Sequence, residues 1–143
     1  MIYKSFEITN FKGVDKITVD LSNNRIITLV GLNESGKTTV MEAINLFHKL
    51  IKGAEPDEQM LNKIRPKGAA FTGIISITGR LLFEDEDKTI ILKHWKNELK
   101  KRTALEFPKE FSYTYGFEFN LNTYKNTTKT ATFGIKSNKA KKS

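Results

Sequence analysis

A glycine-rich segment carries the clearest chemistry in this sequence. Residues 31–38 read Gly-Leu-Asn-Glu-Ser-Gly-Lys-Thr and fit the pattern G-x-x-x-x-G-K-[ST] in full. The glycines let the backbone bend so that its N–H groups converge on one anion. In such a loop the lysine, here Lys37, reaches the β- and γ-phosphates of a nucleotide, and the hydroxyl of Thr38 ligates Mg²⁺. The sequence therefore predicts a site for a nucleotide and a magnesium ion.

The residues on either side of the loop give it the context that this motif requires. Residues 25–30 form an apolar, β-branched run that predicts a buried strand just before the loop. Apolar residues at helical spacing predict a helix over 37–52 that ends at Gly53. This helix directs the positive end of its dipole at the same phosphates. A coincidental glycine-rich turn is therefore the weaker interpretation.

Length and composition limit the classes of protein that this chain can belong to. Its 143 residues predict one domain or part of one. No apolar run approaches the ~20 residues needed to cross a membrane, and the N-terminus lacks the features of a secretory signal. The absence of cysteine excludes disulfides, thiolate metal sites and a cysteine nucleophile. We expect a cytoplasmic protein that does not bind membranes.

The net charge of +8 lies mostly in the last third of the chain. Residues 101–143 contain nine Lys/Arg and three Asp/Glu, whereas residues 1–50 and 51–100 each carry a net charge of +1. Such a patch can bind nucleic acid through its phosphates. A solvated surface and a disordered basic tail over 136–143 explain the same composition. DNA is therefore a candidate partner, and the charge pattern alone does not decide the point.

The rest of the chain predicts mainly antiparallel strands. Residues 71–83 and 89–95 predict a hairpin closed by a charged turn at 84–87. From 111 to 121 every second residue is aromatic or leucine, which is typical of a half-buried strand, and one more strand is predicted over 123–135. We interpret the aromatic stripe as core packing rather than as a surface for base stacking.

Shorter elements are predicted on both sides of the phosphate-loop helix. Strands are expected over 2–9 and 14–21, with a turn at 11–13 between them. After the helix, a short second helix is expected near 57–64. The result is a hairpin that leads into the strand–loop–helix unit.

The first 50 residues resemble the N-terminal lobe of an ABC-type ATPase head within the AAA class. Relatives of this kind include RecF, the structural-maintenance-of-chromosomes (SMC) proteins and the OLD (overcoming lysogenization defect) ATPase-nucleases. They begin with a strand ending in Asn-Phe-Arg/Lys, seen here as Asn10-Phe11-Lys12, and continue to a loop of the form G-x-N-x-S-G-K-[ST]. The helix that follows carries a small and acidic pattern, as in Glu42-Ala43-Ile44. Glu34 makes the loop more similar to those of OLD-like and phage-defence ATPases than to those of SMC proteins.

The resemblance implies a fold, a domain and a set of site residues. The implied fold is an α/β (α+β) P-loop NTPase with a mixed or antiparallel sheet around the phosphate-loop helix. The implied domain covers 1–135, with a P-loop core at 1–52 and a strand-rich basic region at 53–135. ATP and Mg²⁺ are the implied cofactors. Lys37 is implied to be catalytic, Thr38 to hold the metal and Thr39 to meet the α-phosphate. The residues implied to bind the nucleotide are Lys12, Gly31, Leu32, Asn33, Glu34, Ser35, Gly36, Lys37, Thr38 and Thr39.

Other parts of an ABC-type head have no convincing counterpart in this sequence. The family uses an aspartate–glutamate pair after an apolar strand, a serine-rich signature, a glutamine loop and a switch histidine. Residues 81–86 imitate the acidic pair, but they follow the loop too closely and are better explained by a charged turn. We discount Gln59, which lies in a polar connector, and interpret His48 and His94 as structural or surface residues. We therefore expect an N-terminal piece of a longer ATPase, whose partners are a C-terminal lobe of the same protein and a second head.

These observations favour the ATP-binding part of an ATPase that couples ATP binding and hydrolysis to DNA-linked work, in DNA repair or phage defence. The chain by itself is expected to bind nucleotide weakly and to hydrolyse it very slowly. One alternative is a small stand-alone P-loop phosphotransferase such as a kinase, which would have a mostly parallel sheet. The other is a nucleic-acid-binding module with a vestigial loop, whose DNA binding would depend steeply on salt and ignore ATP.

Overall fold

The computed structural model describes residues 2–22, 36–68, 70–82, 84–86, 89 and 110–133. The predicted strand at 25–30, loop residues 31–35, His94 and the tail at 136–143 lie outside these ranges. The helices and strands of the described residues are, in chain order, β1 (Ile2–Phe11), β2 (Val14–Asp20), α1 (Lys37–Ile51), α2 (Glu58–Ile64), β3 (Gly73–Leu82), β4 (Glu110–Asn120) and β5 (Thr123–Phe133).

The strands form one antiparallel sheet in the order β2-β1-β3-β4-β5. The hairpins β1–β2 and β4–β5 occupy its two sides, and β3 joins them at the centre. An antiparallel sheet confirms the predicted fold class. It also argues against a stand-alone phosphotransferase, because strands that alternate with crossover helices would pair in parallel.

The register of the strands places apolar side chains on one face of the sheet. Ile77 of β3 lies between Ile8 of β1 and Tyr115 of β4, and all three are buried. Helix α1 covers this face, where the ring of Phe47 packs edge-on against Phe6 and Tyr115 at centroid distances of 5.4 and 5.7 Å. The core therefore lies between α1 and the three central strands.

The aromatic stripe of β4 is part of this core, as the sequence predicted. Its members are at most 3% exposed: Phe111, Tyr113, Tyr115, Phe117 and Phe119. Leu121 was predicted to continue the stripe, and this is wrong. It is 69% exposed with φ 47°, because the chain turns back at Leu121 and Asn122 to begin β5.

Both predicted helices are present in the described residues. Helix α1 ends at Ile51, and the N–H of Gly53, at φ 104°, donates to the carbonyl of Leu50 at 3.0 Å. Helix α2 begins after Asp57, whose side chain accepts the Met60 N–H at 2.8 Å and so caps the first turn. None of the helices described here is long and apolar enough to cross a membrane.

The predicted hairpin between residues 71–83 and 89–95 is wrong. A strand has two edges, and those of β3 are already paired with β1 and β4. The described residues Asp85, Glu86 and Thr89 are helical, so the charged segment after β3 is not a simple turn between strands. The sequence showed where apolar strands begin and end, but hydrophobic alternation carries no information on which strands pair.

Candidate nucleotide-binding site

Helix α1 begins directly after Gly36, the second glycine of the predicted phosphate loop. Gly36, the N-cap, has the left-handed conformation at φ 86°, which residues with a side chain rarely adopt. Its carbonyl accepts the first bond of the helix from the Val40 N–H at 2.9 Å. No side-chain oxygen caps this end, and the first turn contains no acidic residue. An anion is thus the group that would complement the positive end of the helix.

The three residues that follow Gly36 in the sequence lie in the first turn of α1. Lys37 and Thr39 are half-buried in the first turn, and Thr38 is exposed. No group of three or more His, Asp or Glu side chains among the described residues could hold a metal ion. An exposed hydroxyl next to a phosphate site fits Mg²⁺, which usually takes one or two protein ligands together with phosphate oxygens and water.

The turn between β1 and β2 lies directly against Gly36, the residue that opens α1. A Cβ atom on Gly36 would be 3.4 Å from Cγ2 of Val14, the first residue of β2. The neighbouring turn residue Lys12 has φ 52°, and its N–H donates to the carbonyl of Ile64 at the end of α2, at 2.9 Å. The Asn-Phe-Lys segment is therefore fixed between the two helices, close to the start of α1.

Lys12 is brought close to the site, but its ammonium group has a partner. Nζ of Lys12 forms an ion pair with the carboxylate of Glu42 on α1. Both side chains are partly exposed, at 26% and 45%. The pattern Glu42-Ala43-Ile44 gives no sign that Glu42 is the partner of Lys12, since the two residues are 30 positions apart.

The other candidates divide into two groups. Residues 31–35 of the loop lie outside the described residues, so their predicted contacts stay predictions. Among the residues that imitate an acidic pair, Glu84, Asp85 and Glu86 are exposed, and Gln59 is exposed on α2. The structure therefore brings together Lys12, Gly36, Lys37, Thr38 and Thr39.

His48 is part of the packing between α1 and β1. Its Nδ1 shares a hydrogen bond of 2.5 Å with the Tyr3 hydroxyl, and the two rings pack edge to face at 5.8 Å. Burial lowers the pKa of His48, because it disfavours the charged ring, and the positive charges of Lys52 and the N-terminus act in the same direction. These contacts agree with its interpretation as a structural residue.

Comparisons with known proteins agree with this geometry. A solved structure from work on the ATP-driven dimerization and DNA-stimulated activation of SMC ATPases matches 93% of this chain and 70% of its own, with 14% identity and a TM-score of 0.57. At this identity the likeness concerns the fold, which is that of a P-loop ATPase head of the ABC type. No curated protein sequence matches the chain. The family model of the AAA ATPase domain matches residues 1–143, and the chain therefore belongs to the AAA ATPase family.

Proposed function

We propose that the chain binds ATP with Mg²⁺ through residues 31–39 and Lys12. The observation that carries this proposal is Gly36, which opens α1 in the left-handed conformation with Lys37 and Thr38 directly behind it. Backbone N–H groups would surround the phosphates, Lys37 would reach the β- and γ-phosphates, and Thr38 would hold Mg²⁺. Thr39 would meet the α-phosphate. Lys12 would approach the phosphates or ribose from the β1–β2 turn.

We further propose that the ATPase to which this chain contributes hydrolyses ATP and uses the cycle for DNA-linked work, in DNA repair or phage defence. Lys37 would stabilise the negative charge that develops on the transferred phosphoryl group, where most of the catalysis in this reaction class resides. A C-terminal lobe of the same protein and a second head would complete the site. Membership in the AAA ATPase family and the fold shared with an SMC ATPase support this proposal.

The ATP site can be tested by titration calorimetry with ATP and ADP in the presence of Mg²⁺. Wild-type chain is expected to bind both nucleotides, and Lys37→Ala is expected to weaken ATP binding by about tenfold or more, because a hydrogen bond to a charged group contributes about 1.5–3 kcal/mol. Lys52→Ala is the matched control: it removes one exposed positive charge at the other end of α1 and should bind ATP like the wild type.

Two outcomes would contradict the proposal. One is a folded wild-type chain that ignores both nucleotides at millimolar concentration. The other is DNA binding that is indifferent to ATP and unchanged in Lys37→Ala, which would indicate a nucleic-acid-binding module with a vestigial loop. Circular dichroism of each variant establishes that the chain is folded before either result is interpreted.

A further inference from the structure

A second cavity rich in positive charge lies beside the β1–β2 turn. It has a volume of about 500 Å³ and is enclosed by this turn, by the end of α2 with the residues that follow it, and by the β4–β5 turn. None of the described residues that line it is acidic. Those that matter for binding are Lys12, Lys63, Arg65, Lys67, Gly68 and Asn122.

The positive charges in this cavity are largely uncompensated. Lys12 is paired with Glu42, but Lys63, Arg65 and Lys67 form no ion pair within the described part of the chain. Three cationic side chains within five positions of one another repel one another, and an anion bound between them would attract all three. The cavity therefore favours a ligand with more than one negative oxygen.

Arg65 has an unpartnered donor. Its Nε is buried and has no hydrogen-bond partner among the described residues. A buried donor without a partner is unfavourable, because it has lost its hydrogen bonds to water. Together with a terminal N–H, Nε makes one side of the planar fork with which arginine binds two oxygens of a phosphate or carboxylate at once. Arg65 lines the cavity, so an oxyanion bound there would offer acceptors to its guanidinium.

The walls of the cavity are held by hydrogen bonds outside it. The Lys12 N–H donates to the carbonyl of Ile64, which fixes the end of α2 against the β1–β2 turn. Asn122 exchanges two bonds with Phe71: its N–H donates to the Phe71 carbonyl at 2.8 Å, and its Oδ1 accepts the Phe71 N–H at 2.7 Å. Since Oδ1 is used in this way, the NH₂ end of the Asn122 side chain remains as a donor. A ligand would thus meet a preformed site.

We propose that the described residues of this cavity form a second phosphate-binding site, in addition to the one proposed at residues 31–39. The guanidinium of Arg65 would bind two oxygens of one phosphate group, while Lys63 and Lys67 would neutralise its charge. A phosphate of this kind has two sources: the phosphodiester backbone of a nucleic acid, and free phosphate or polyphosphate. The two sites share Lys12, but their tests use different residues, Lys37 for ATP and Lys63, Arg65 and Lys67 for the cavity, so either site can fail its test without the other.

The direct test is an NMR titration of the ¹⁵N-labelled wild-type chain without Mg²⁺, in one arm with pyrophosphate and in the other with a short DNA duplex. Saturable shifts of the Gly68 and Asn122 amides in either arm support the site. Shifts with pyrophosphate identify free polyphosphate as a source, and shifts with the duplex alone identify the nucleic-acid backbone. If neither ligand moves these amides, or if only amides at Gly36 and Thr38 move, the proposal is wrong.

Paired variants separate the cavity from a general effect of charge. Lys63→Gln/Lys67→Gln removes two exposed lysines of the site, and Lys125→Gln/Lys129→Gln removes two exposed lysines of β5. The first pair should weaken binding of the ligand found above by about tenfold or more, as expected when charged hydrogen bonds are lost, and the second much less. Arg65→Lys keeps the charge but loses the fork, so it should also weaken binding. Equal losses in the two double variants would overturn the proposal.

Discussion

At the scale of single residues, the candidate site depends on backbone conformations that few residue types adopt. Gly36 at φ 86° lets the chain turn from the loop into α1. Lys12 has φ 52° although it carries a side chain, which costs of the order of 1 kcal/mol. Two contacts offset that cost, the backbone bond to Ile64 and the ion pair with Glu42. The backbone N–H of Lys12 and its side-chain ammonium group therefore both hold this residue near the start of α1.

Removing the carboxylate of Glu42 should strengthen ATP binding. In Glu42→Gln, a negative charge near the proposed phosphate site is lost and the Lys12 ammonium is released from its ion pair. We expect ATP to bind about threefold more tightly, in line with the ~0.2–1 kcal/mol that a partly exposed pair contributes. Calorimetry of the single variants and of the Lys12→Ala/Glu42→Gln double variant measures the coupling. If Glu42→Gln changes the affinity for ATP equally in chains with and without the Lys12 side chain, Lys12 plays no part in ATP binding.

The pH dependence of stability should report on His48. Because its pKa is lowered in the folded state, the unfolded chain takes up the proton first as the pH falls through the usual histidine value of 6.5. The free energy of unfolding should therefore be highest above this pH and decrease below it. Urea unfolding at several pH values should show a smaller decrease in His48→Gln than in the wild type, and identical pH profiles would refute this account.

At the scale of secondary structure, α1 and the sheet are fitted to each other around one ring. Phe47 of α1 is fully buried and packs edge-on against Phe6, Tyr113 and Tyr115. The sheet makes room for it at Gly79 of β3, where a Cβ atom would be 2.4 Å from Cζ of Phe47. This contact fixes how closely the phosphate-loop helix approaches β3. The start of α1 is therefore positioned by a core contact far from the loop itself.

Gly79→Ala should destabilise the chain. The new methyl group overlaps with the Phe47 ring, which is surrounded by other aromatic rings and cannot move without displacing them. Overpacking of this kind costs about 1–3 kcal/mol. Gly13→Ala is the matched control, because a Cβ there meets nothing within 4 Å. Chemical denaturation measures the free energy of unfolding of both variants. Equal values would mean that the Phe47 ring moves aside at little energetic cost.

At the scale of the whole molecule, the described residues form one antiparallel sheet whose apolar face is covered by α1, the helix that Gly36 opens. This arrangement supports the placement of the chain in the AAA ATPase family and its likeness to an SMC ATPase. Among the described residues, the acidic side chains that follow β3 are exposed and form no metal-binding group. The described residues thus include the helix start, Lys37 and Thr38 of the proposed phosphate site, and they provide no carboxylate pair to position the attacking water.

The 143-residue chain alone should therefore turn over ATP far more slowly than about 1 s⁻¹, the lower end of the range for kinases. Release of inorganic phosphate measures the rate, and Lys37→Ala supplies the background. A turnover of several per second by the wild type, absent in the variant, would show that this chain already contains its catalytic carboxylate.

The sequence by itself determined the features that depend on neighbouring residues. The motif ending in Lys37-Thr38 predicted a helix that begins at Lys37, and the alternation from Phe111 to Phe119 predicted a buried face. Turns and periodicities are set by local dihedral angles and by the burial of every second or fourth side chain, so they can be derived from a few consecutive residues. Leu121 shows the limit, since a continued alternation cannot reveal where the chain reverses.

Only the tertiary structure decided which distant residues meet. It placed β3 between β1 and β4 and joined Lys12 to Glu42, and it brought Lys67 and Asn122 to the same cavity. Each of these juxtapositions results from long-range strand pairing and packing, whose energy depends on the whole core and not on any short segment. The phosphate loop could therefore be identified from the sequence alone, whereas the partner of Lys12 and the second cationic cavity could not.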